Sequence, residues 1–392
     1  QTMPAITTIA QRMGTGLDSF SLLAIPFFIL AGELMNRGGI ANRLIEFAKA
    51  LTGRMRGGLL HVNIIAAMLM GAIAGSAVAA ASSMGGILGK RMEKEGYPKE
   101  LGAAVNITSS TTGLIIPPSN VLIVYSLASG GVSVAALFVA GYLPGLLVGG
   151  LLMITAAIMV RVHKLPAGEG SSFKLILKTF WEAVPSLFLL IVVIGGIIGG
   201  VFTATEASAI AVVYSLVLSM IYRELKVKDL PSVLLKSAET TAVVMLLIAT
   251  SMAMSWVMSS EEIPQNISNT LLGLSDNIFV ILIMINILLL VVGVFMDMTP
   301  AVLIFTPIFL PVVTALGVDP VHFGIMMVLN LCIGLCTPPV GSILFIGVGV
   351  ANTTIQKVLK PMLPFYFAMV LALILIMLFP EISLWLPRVF GV

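Results

Sequence analysis

Charge is what this chain lacks most. Only 10% of its 392 residues are Asp, Glu, Lys or Arg, against about 25% in a soluble globular domain. With 58% hydrophobic residues and a mean hydropathy of +1.10, this scarcity leaves no polar stretch long enough for a separate soluble domain. The chain reads as an all-α polytopic membrane protein. A net charge of +3 is too small to call for nucleic acid as a partner. Histidine is scarce too: His61, His163 and His322 lie near predicted span ends and form no metal site or nucleophile pair, which argues against an intramembrane enzyme. Cys332 and Cys336 stand four apart on one apolar segment, more like neighbouring thiols than a disulfide or metal site. No arginine falls inside a predicted span. The chain starts at Gln1 without an initiator Met or signal peptide, so the natural protein is expected to extend further at its front.

What is present, within the apolar bulk, is polarity in the wrong place. Asn106-Ile-Thr-Ser-Ser-Thr-Thr-Gly-Leu-Ile-Ile-Pro-Pro-Ser-Asn120 combines hydroxyls, amides, a glycine and a double proline in a region that should span a membrane. Pro117 and Pro118 donate no backbone hydrogen bond. The carbonyls and amides freed there would cost several kcal/mol each in lipid, so they must face protein, water or an ion. A second copy lies at Asn330-Leu-Cys-Ile-Gly-Leu-Cys-Thr-Pro-Pro-Val-Gly-Ser342. Two discontinuous helices in one membrane protein point to a transporter site. A channel would want a continuous polar pore instead, and the polar residues here fall in four short patches.

Along the chain, residues 1–17 read as an outer loop or short helix and 18–35 as a span with Glu33 as an interfacial carboxylate. Residues 39–55 read as an amphipathic interfacial helix, with Ile40, Leu44, Ile45, Ala48 and Leu51 on one face and Arg43, Lys49 and Arg54 elsewhere. Residues 58–90 are apolar but interrupted at Gly71-Ala-Ile-Ala-Gly-Ser-Ala77. Each arm is short for a crossing, which predicts a re-entrant hairpin with its tip near Gly75 and Ser76; one long helix with small packing residues is the other reading. The first broken helix occupies 100–127, and 134–161 is a span. After a linker and connector helix over 162–204, whose apolar part is 181–201, come spans at 205–222 and 240–258 and a short helix at 263–275. A second hairpin at 278–318 breaks at Phe295-Met-Asp-Met-Thr-Pro300. The second broken helix is 321–350 and the last span 361–386.

The two halves match. Gly71 pairs with Gly293, Pro98 with Pro320 and Gly102 with Gly324, all 222 apart; Gly113, Pro117 and Pro118 pair with Gly334, Pro338 and Pro339, all 221 apart. This gives a first repeat over 1–161 and a second over 205–392. The span at 205–222 has its partner before residue 1, which predicts one more N-terminal helix in the natural protein. Counting crossings, the second repeat is inverted relative to the first. Charge tests that topology: loops 36–56, 90–99, 161–178, 223–236 and 357–360 fall on one side and hold all 21 lysines and arginines except Arg12 and Arg388. The basic side is the cytoplasmic one. The first hairpin then enters from the cytoplasm and the second from outside.

The residues Leu23-Ala-Ile-Pro-Phe-Phe-Ile-Leu-Ala-Gly-Glu-Leu-Met35, Gly71-Ala-Ile-Ala-Gly-Ser-Ala77, Gly113-Leu-Ile-Ile-Pro-Pro-Ser119, Gly141-Tyr-Leu-Pro-Gly145 and Gly200-Val-Phe-Thr-Ala-Thr-Glu-Ala207 resemble the large membrane (M) subunit of TRAP (tripartite ATP-independent periplasmic) transporters, DctM-like, over essentially the whole chain. The resemblance implies an elevator-type secondary transporter of the bacterial inner membrane, driven by Na+ with two or more coupling ions. It also implies two partners: a small four-helix membrane subunit (Q) and a periplasmic substrate-binding protein (P). The expected cargo is a carboxylate: a C4-dicarboxylate, another organic acid, or sialic acid, the last favoured on the resemblance alone. A stand-alone sodium/anion symporter is the alternative.

Hairpin tips and helix breaks converge in such a plan, and sodium wants several oxygen ligands. One ion is expected between Ser76 and Ser109, Ser110, Thr112 and Gly113; a second between Asp297 or Thr299 and Thr337 with Gly334. Asp297 is the sharpest residue, because an ionisable group in this apolar run is costly unless it serves an ion or a partner; it can equally cap the helix before Pro300. Ser119 and Asn120, as hydroxyl and amide donors, and Ser76 are the substrate candidates, with helix capping or small-residue packing as their plain alternatives. Glu206 is read either as a capping box with Thr203 or as a transport residue.

Overall fold

Why the helices stop is the informative part of this fold, because almost everything else is helix. The computed structural model describes residues 2–52, 55–166, 172–275 and 277–392; Arg54, the linker centre 167–171 and Asp276 fall outside them, as do the side chains of residues 72–74 at the first hairpin. The described residues form eighteen α-helices and no strand.

The chain begins with α1 (Thr2–Leu17), a 3-10 turn at Phe20–Leu23, α2 (Ala24–Arg37) and α3 (Ile40–Thr52). A hairpin follows, α4 (Gly58–Ala74) and α5 (Ala77–Lys94), then α6 (Lys99–Ser110), α7 (Asn120–Ala128) and α8 (Val134–Val162). The connector is α9 (Phe173–Ile198). The second half contains α10 (Ala204–Ile221), α11 (Leu230–Ser260), α12 (Ile263–Leu274), the hairpin α13 (Ile278–Phe295) and α14 (Met298–Ala315), α15 (Pro320–Cys336), α16 (Ser342–Val350), α17 (Ile355–Leu378) and α18 (Glu381–Phe390). Eight helical stretches among the described residues are long and apolar enough to cross a membrane, so this is a multi-pass membrane protein.

The order α3 to α8 recurs as α12 to α17. The two sets interlock: α5 packs on α16, α14 on α7, α6 on α17 and α15 on α8. Outside them, α2 packs on α10, α1 on α11 and α3 on α9. Lipid offers no hydrophobic drive for helices to associate, so close packing and buried hydrogen bonds must do it. Tyr125 of α7 is fully buried and its hydroxyl donates to the Pro320 carbonyl, 2.6 Å away, at the start of α15.

Each stop has a local cause. At the first hairpin Gly75 takes a left-handed φ of 58° that a side chain would disfavour, and the Ser76 hydroxyl accepts from the Ala79 amide at 3.3 Å to start α5. At the second, Met296 and Asp297 are extended. α6 tightens into a 3-10 turn at Thr111–Leu114 before the cis Pro117–Pro118 bond; α15 ends at Cys336 before the cis Pro338–Pro339 bond and Gly341, with φ 33°.

Several boundaries differ from the sequence reading. α9 starts at Phe173 rather than near 181, and α11 at Leu230 rather than 240. Lys174, Lys178 and Lys236 lie on helix, where long side chains carry the charge outward while their stems cover apolar surface. Much of the basic segments counted as loops is thus helix, including Lys357 and Lys360 in α17. The last span is not 361–386: it ends at Leu378, and Pro380 opens the separate helix α18. On α3, Ile40, Leu44, Ile45 and Ala48 are buried as expected, but Leu51, the second-last residue of the helix, is 47% exposed.

Candidate functional site: two tip–break junctions

The hydroxyls of the polar stretch ending α6 are buried without being unsatisfied. Thr108 donates to Ala104 O at 2.8 Å, Ser110 to Asn106 O at 2.6 Å, Thr111 to Thr108 O at 2.8 Å and Thr112 to Ser109 O at 2.6 Å. Each hydroxyl spends its proton on its own helix, and the oxygen's remaining lone pairs stay available to a cation or donor. Ser109, Ser110 and Thr112 are fully buried. Ser109 also accepts from Asn63 Nδ2 of α4 at 3.1 Å, a partner the sequence reading did not single out.

The first hairpin meets this break backbone to backbone. A Cβ placed on Gly71 would collide with Gly113 Cα, and one on Gly75 would lie 3.3 Å from Asn120 Nδ2 and 3.4 Å from Pro118 O. Gly75 and Ser76 therefore sit beside the start of α7. Ser119 is buried and its hydroxyl donates to Leu114 O at 2.6 Å. It is thus left to act as an acceptor, not as the donor expected from sequence. Asn120 Oδ1 is buried without a hydrogen-bond partner. The motif Gly141-Tyr-Leu-Pro-Gly145 holds the break from behind, since side chains at Gly141 and Gly145 would strike Ile115 and Ile116.

The second junction repeats the arrangement. A Cβ on Gly334 would come within 2.6 Å of Gly293 backbone, and the Gly341 amide donates to Val294 O at 3.1 Å. Asp297 is exposed and stands at the N-cap of α14 with no side-chain bond to that helix's amides; it accepts from Ser342 Oγ at 3.4 Å. The structure brings Asp297 to Ser342 rather than to Thr337, whose hydroxyl donates to Ile333 O at 2.7 Å. Thr299 lies half-buried in the first turn of α14. The two breaks touch: Cys332 Sγ donates to Thr111 O at 3.5 Å and Cys336 Sγ to Ile107 O at 3.6 Å. Both thiols are free and buried, and the Cys336 carbonyl accepts from Tyr366.

A buried asparagine pair and a buried asparagine–serine contact escaped the sequence reading. Asn330 Nδ2 donates to Asn286 Oδ1 at 2.7 Å and to Asn286 O at 2.8 Å, joining α15 to α13. In the first half Asn63 and Ser109 make the corresponding contact, and Asn106 Nδ2 donates to Ala81 O at 2.8 Å. Their signal was an amide on the first arm of each hairpin and one on each broken helix. Glu206 settles into the capping box: it accepts from the Thr203 amide at 2.8 Å, while its own amide donates to Thr203 Oγ1 at 3.2 Å. Glu33 lies 4.0 Å from Arg37 one turn on, as a surface pair.

Among the described residues no cluster of His, Cys, Asp and Glu gathers as a metal site. Any cation held here would take hydroxyl, carboxamide and backbone oxygens and the Asp297 carboxylate, as a hard monovalent ion does.

Solved structures share this architecture. The YdaH transporter of Alcanivorax borkumensis superposes with a TM-score of 0.71 at 14% identity, covering 95% of this chain and 87% of that one, a likeness of fold alone. Sequence relatives are nearer. An uncharacterised protein of Salmonella typhimurium, YgiK, is 55% identical over 99% of this chain and 89% of its own length. The C4-dicarboxylate TRAP transporter large permease protein DctM of Pseudomonas aeruginosa is 40% identical over 99% of this chain and 91% of its own. The family model for the tripartite ATP-independent periplasmic transporter, DctM component, matches residues 1–382. The chain belongs to that family, the large membrane permeases of TRAP transporters.

Proposed function

We propose that this chain imports an organic anion across the bacterial inner membrane, coupled to sodium, after receiving it from a periplasmic binding protein. Family membership carries the coarser part: a secondary transporter permease for organic acids, not an enzyme. The finer part rests on the two tip–break junctions. Each places a helix end, buried or half-buried hydroxyls and a turn of backbone in one spot, which suits a cation at carbonyls and an anion at amides. In this reading Ser76 with Ser109, Ser110, Thr112 and Gly113 holds one sodium, and Asp297, with Thr299, Gly334, Thr337 and its observed neighbour Ser342, holds another. The substrate carboxylate lies against the amides opening α7 and α16, near Ser76, Ser119 and Asn120.

The hairpins and broken helices move together as the transport block of an elevator, with the two hairpins entering from opposite sides. The basic helix ends face the cytoplasm. Sodium must bind one state better than the other for its gradient to do work, and it offsets the charge of the anion on the way through. A small four-helix subunit is the membrane partner. The relative's name makes a C4-dicarboxylate the first cargo to try, with sialic acid the second. The stand-alone symporter has no support from the family match or from the DctM relative, a TRAP permease.

The test is uptake by proteoliposomes holding this chain and the small subunit. Uptake should require sodium outside and a loaded binding protein. Equal transport of free substrate with no binding protein would sink the tripartite reading, and uptake indifferent to sodium would sink the coupling.

A further inference from the structure

A cavity of about 160 Å³ opens between α5, α6 and α16. Its rim carries Lys90 and Glu93, with Lys99 Nζ 3.9 Å from Glu93 Oε1. Asn63 and Asn106, 1% and 4% exposed, line its interior. Asn106 Oδ1 is buried and has no hydrogen-bond partner. A buried acceptor without a partner, on a residue that lines a cavity roomy enough for water, calls for water or another donor.

Missing side chains make the space. Gly86 and Gly89 line the cavity, and a Cβ on either would meet nothing within 4 Å. Shifted by the repeat, Gly85, Gly86 and Gly89 become Pro307, Ile308 and Pro311, and Ile308 is 4% exposed. The asparagine contact itself is shared by both halves: Asn286 bonds Asn330, and Asn63 bonds Ser109, which the shift of the breaks places opposite Asn330. Cavity and first junction are one bond apart, because Asn63 both lines the cavity and donates to Ser109 Oγ.

We propose that this cavity is a water-filled passage through which the cation of the first junction exchanges with the cytoplasm. The inference rests on the sodium reading above. The lysines on the rim do not close it: in water two unit charges 4 Å apart interact by only about 1 kcal/mol, and Lys99 is partly offset by Glu93.

Cysteine accessibility tests it. In inside-out vesicles, a membrane-impermeant methanethiosulfonate should label Gly86→Cys and Ala103→Cys, and spare Ile308→Cys and the buried Cys332 and Cys336 of the parent. In the transport assay Gly86→Leu, which fills the space, should lower maximal uptake severalfold. The external sodium half-saturation should stay put, and Gly86→Ala should lie between. Failure of Ala103→Cys to react from either face overturns the passage, as does wild-type uptake in Gly86→Leu. If wild-type uptake ignores sodium, the coupling falls with its ion, while the labelling still decides whether the cavity is aqueous. If uptake follows sodium and Ala103→Cys stays unlabelled, only the passage falls.

Discussion

The contact between Gly71 and Gly113 sets a graded test of how the hairpins seat on the breaks. An alanine at Gly71 would drive its Cβ into Gly113 Cα, with Gly113 N also at 2.9 Å. Both neighbours are backbone, so neither helix can yield by turning a side chain. At Gly334 the nearest backbone stands at 2.6 Å and at Gly293 at 3.2 Å; at Gly86 nothing lies within 4 Å. Overpacking of this kind costs about 1–3 kcal/mol, and alanine for glycine in an open helix position gains about 0.5–1 kcal/mol. Stability should therefore fall in the order Gly86→Ala, Gly293→Ala, Gly334→Ala, Gly71→Ala, with the ends separated by about 1.5–4 kcal/mol. Cys332 and Cys336 are built-in reporters, both free and fully buried. A thiol-reactive fluorogenic dye in a thermal ramp reads their exposure on unfolding. Equal unfolding temperatures for Gly71→Ala and Gly86→Ala would refute the packing argument.

Other substitutions separate structure from transport. Thr203→Ala should lower stability by about 0.5–2 kcal/mol through the lost cap and leave the sodium dependence of uptake unmoved; a shifted sodium curve would return Glu206 to the transport site. Asn330→Leu strands Asn286 Oδ1 and should cost about 1–3 kcal/mol, whereas replacing both by leucine should recover part of that loss. The same dye assay on the two variants decides it, and a double variant worse than the single would show that the pair does not act as a unit.

The stopping points of the helices were legible because polar groups inside an apolar run are costly in lipid unless the helix breaks there and turns them inward. Gly75-Ser76, Asp297 and the two double prolines all mark breaks in the structure. The repeat pairs Gly71 with Gly293 and Gly113 with Gly334 across halves; in space the contacts run within each half, Gly71 to Gly113 and Gly293 to Gly334. A spacing argument shows that those glycines matter, not what they touch. Helix starts were less visible. Lys174 and Lys236 read as loop because hydropathy sees the ammonium and not the four-carbon stem. Ser342, which bonds Asp297, was not visible as its neighbour: Ser342 and Thr337 flank the same break, and the turn through Gly341 brings Ser342 to the second tip. Asn63 was invisible as a site residue, since its role depends on a bond to Ser109, 46 positions away.

The account stands or falls on whether the second tip–break junction holds a coupling ion. Sodium dependence of uptake in Asp297→Asn, measured beside Thr203→Ala as a structural control, tests this most directly. Removing one charged ligand should raise the sodium half-saturation by about tenfold or more, with transport recovering at high sodium. A sodium curve for Asp297→Asn that overlays the parent's would contradict the account.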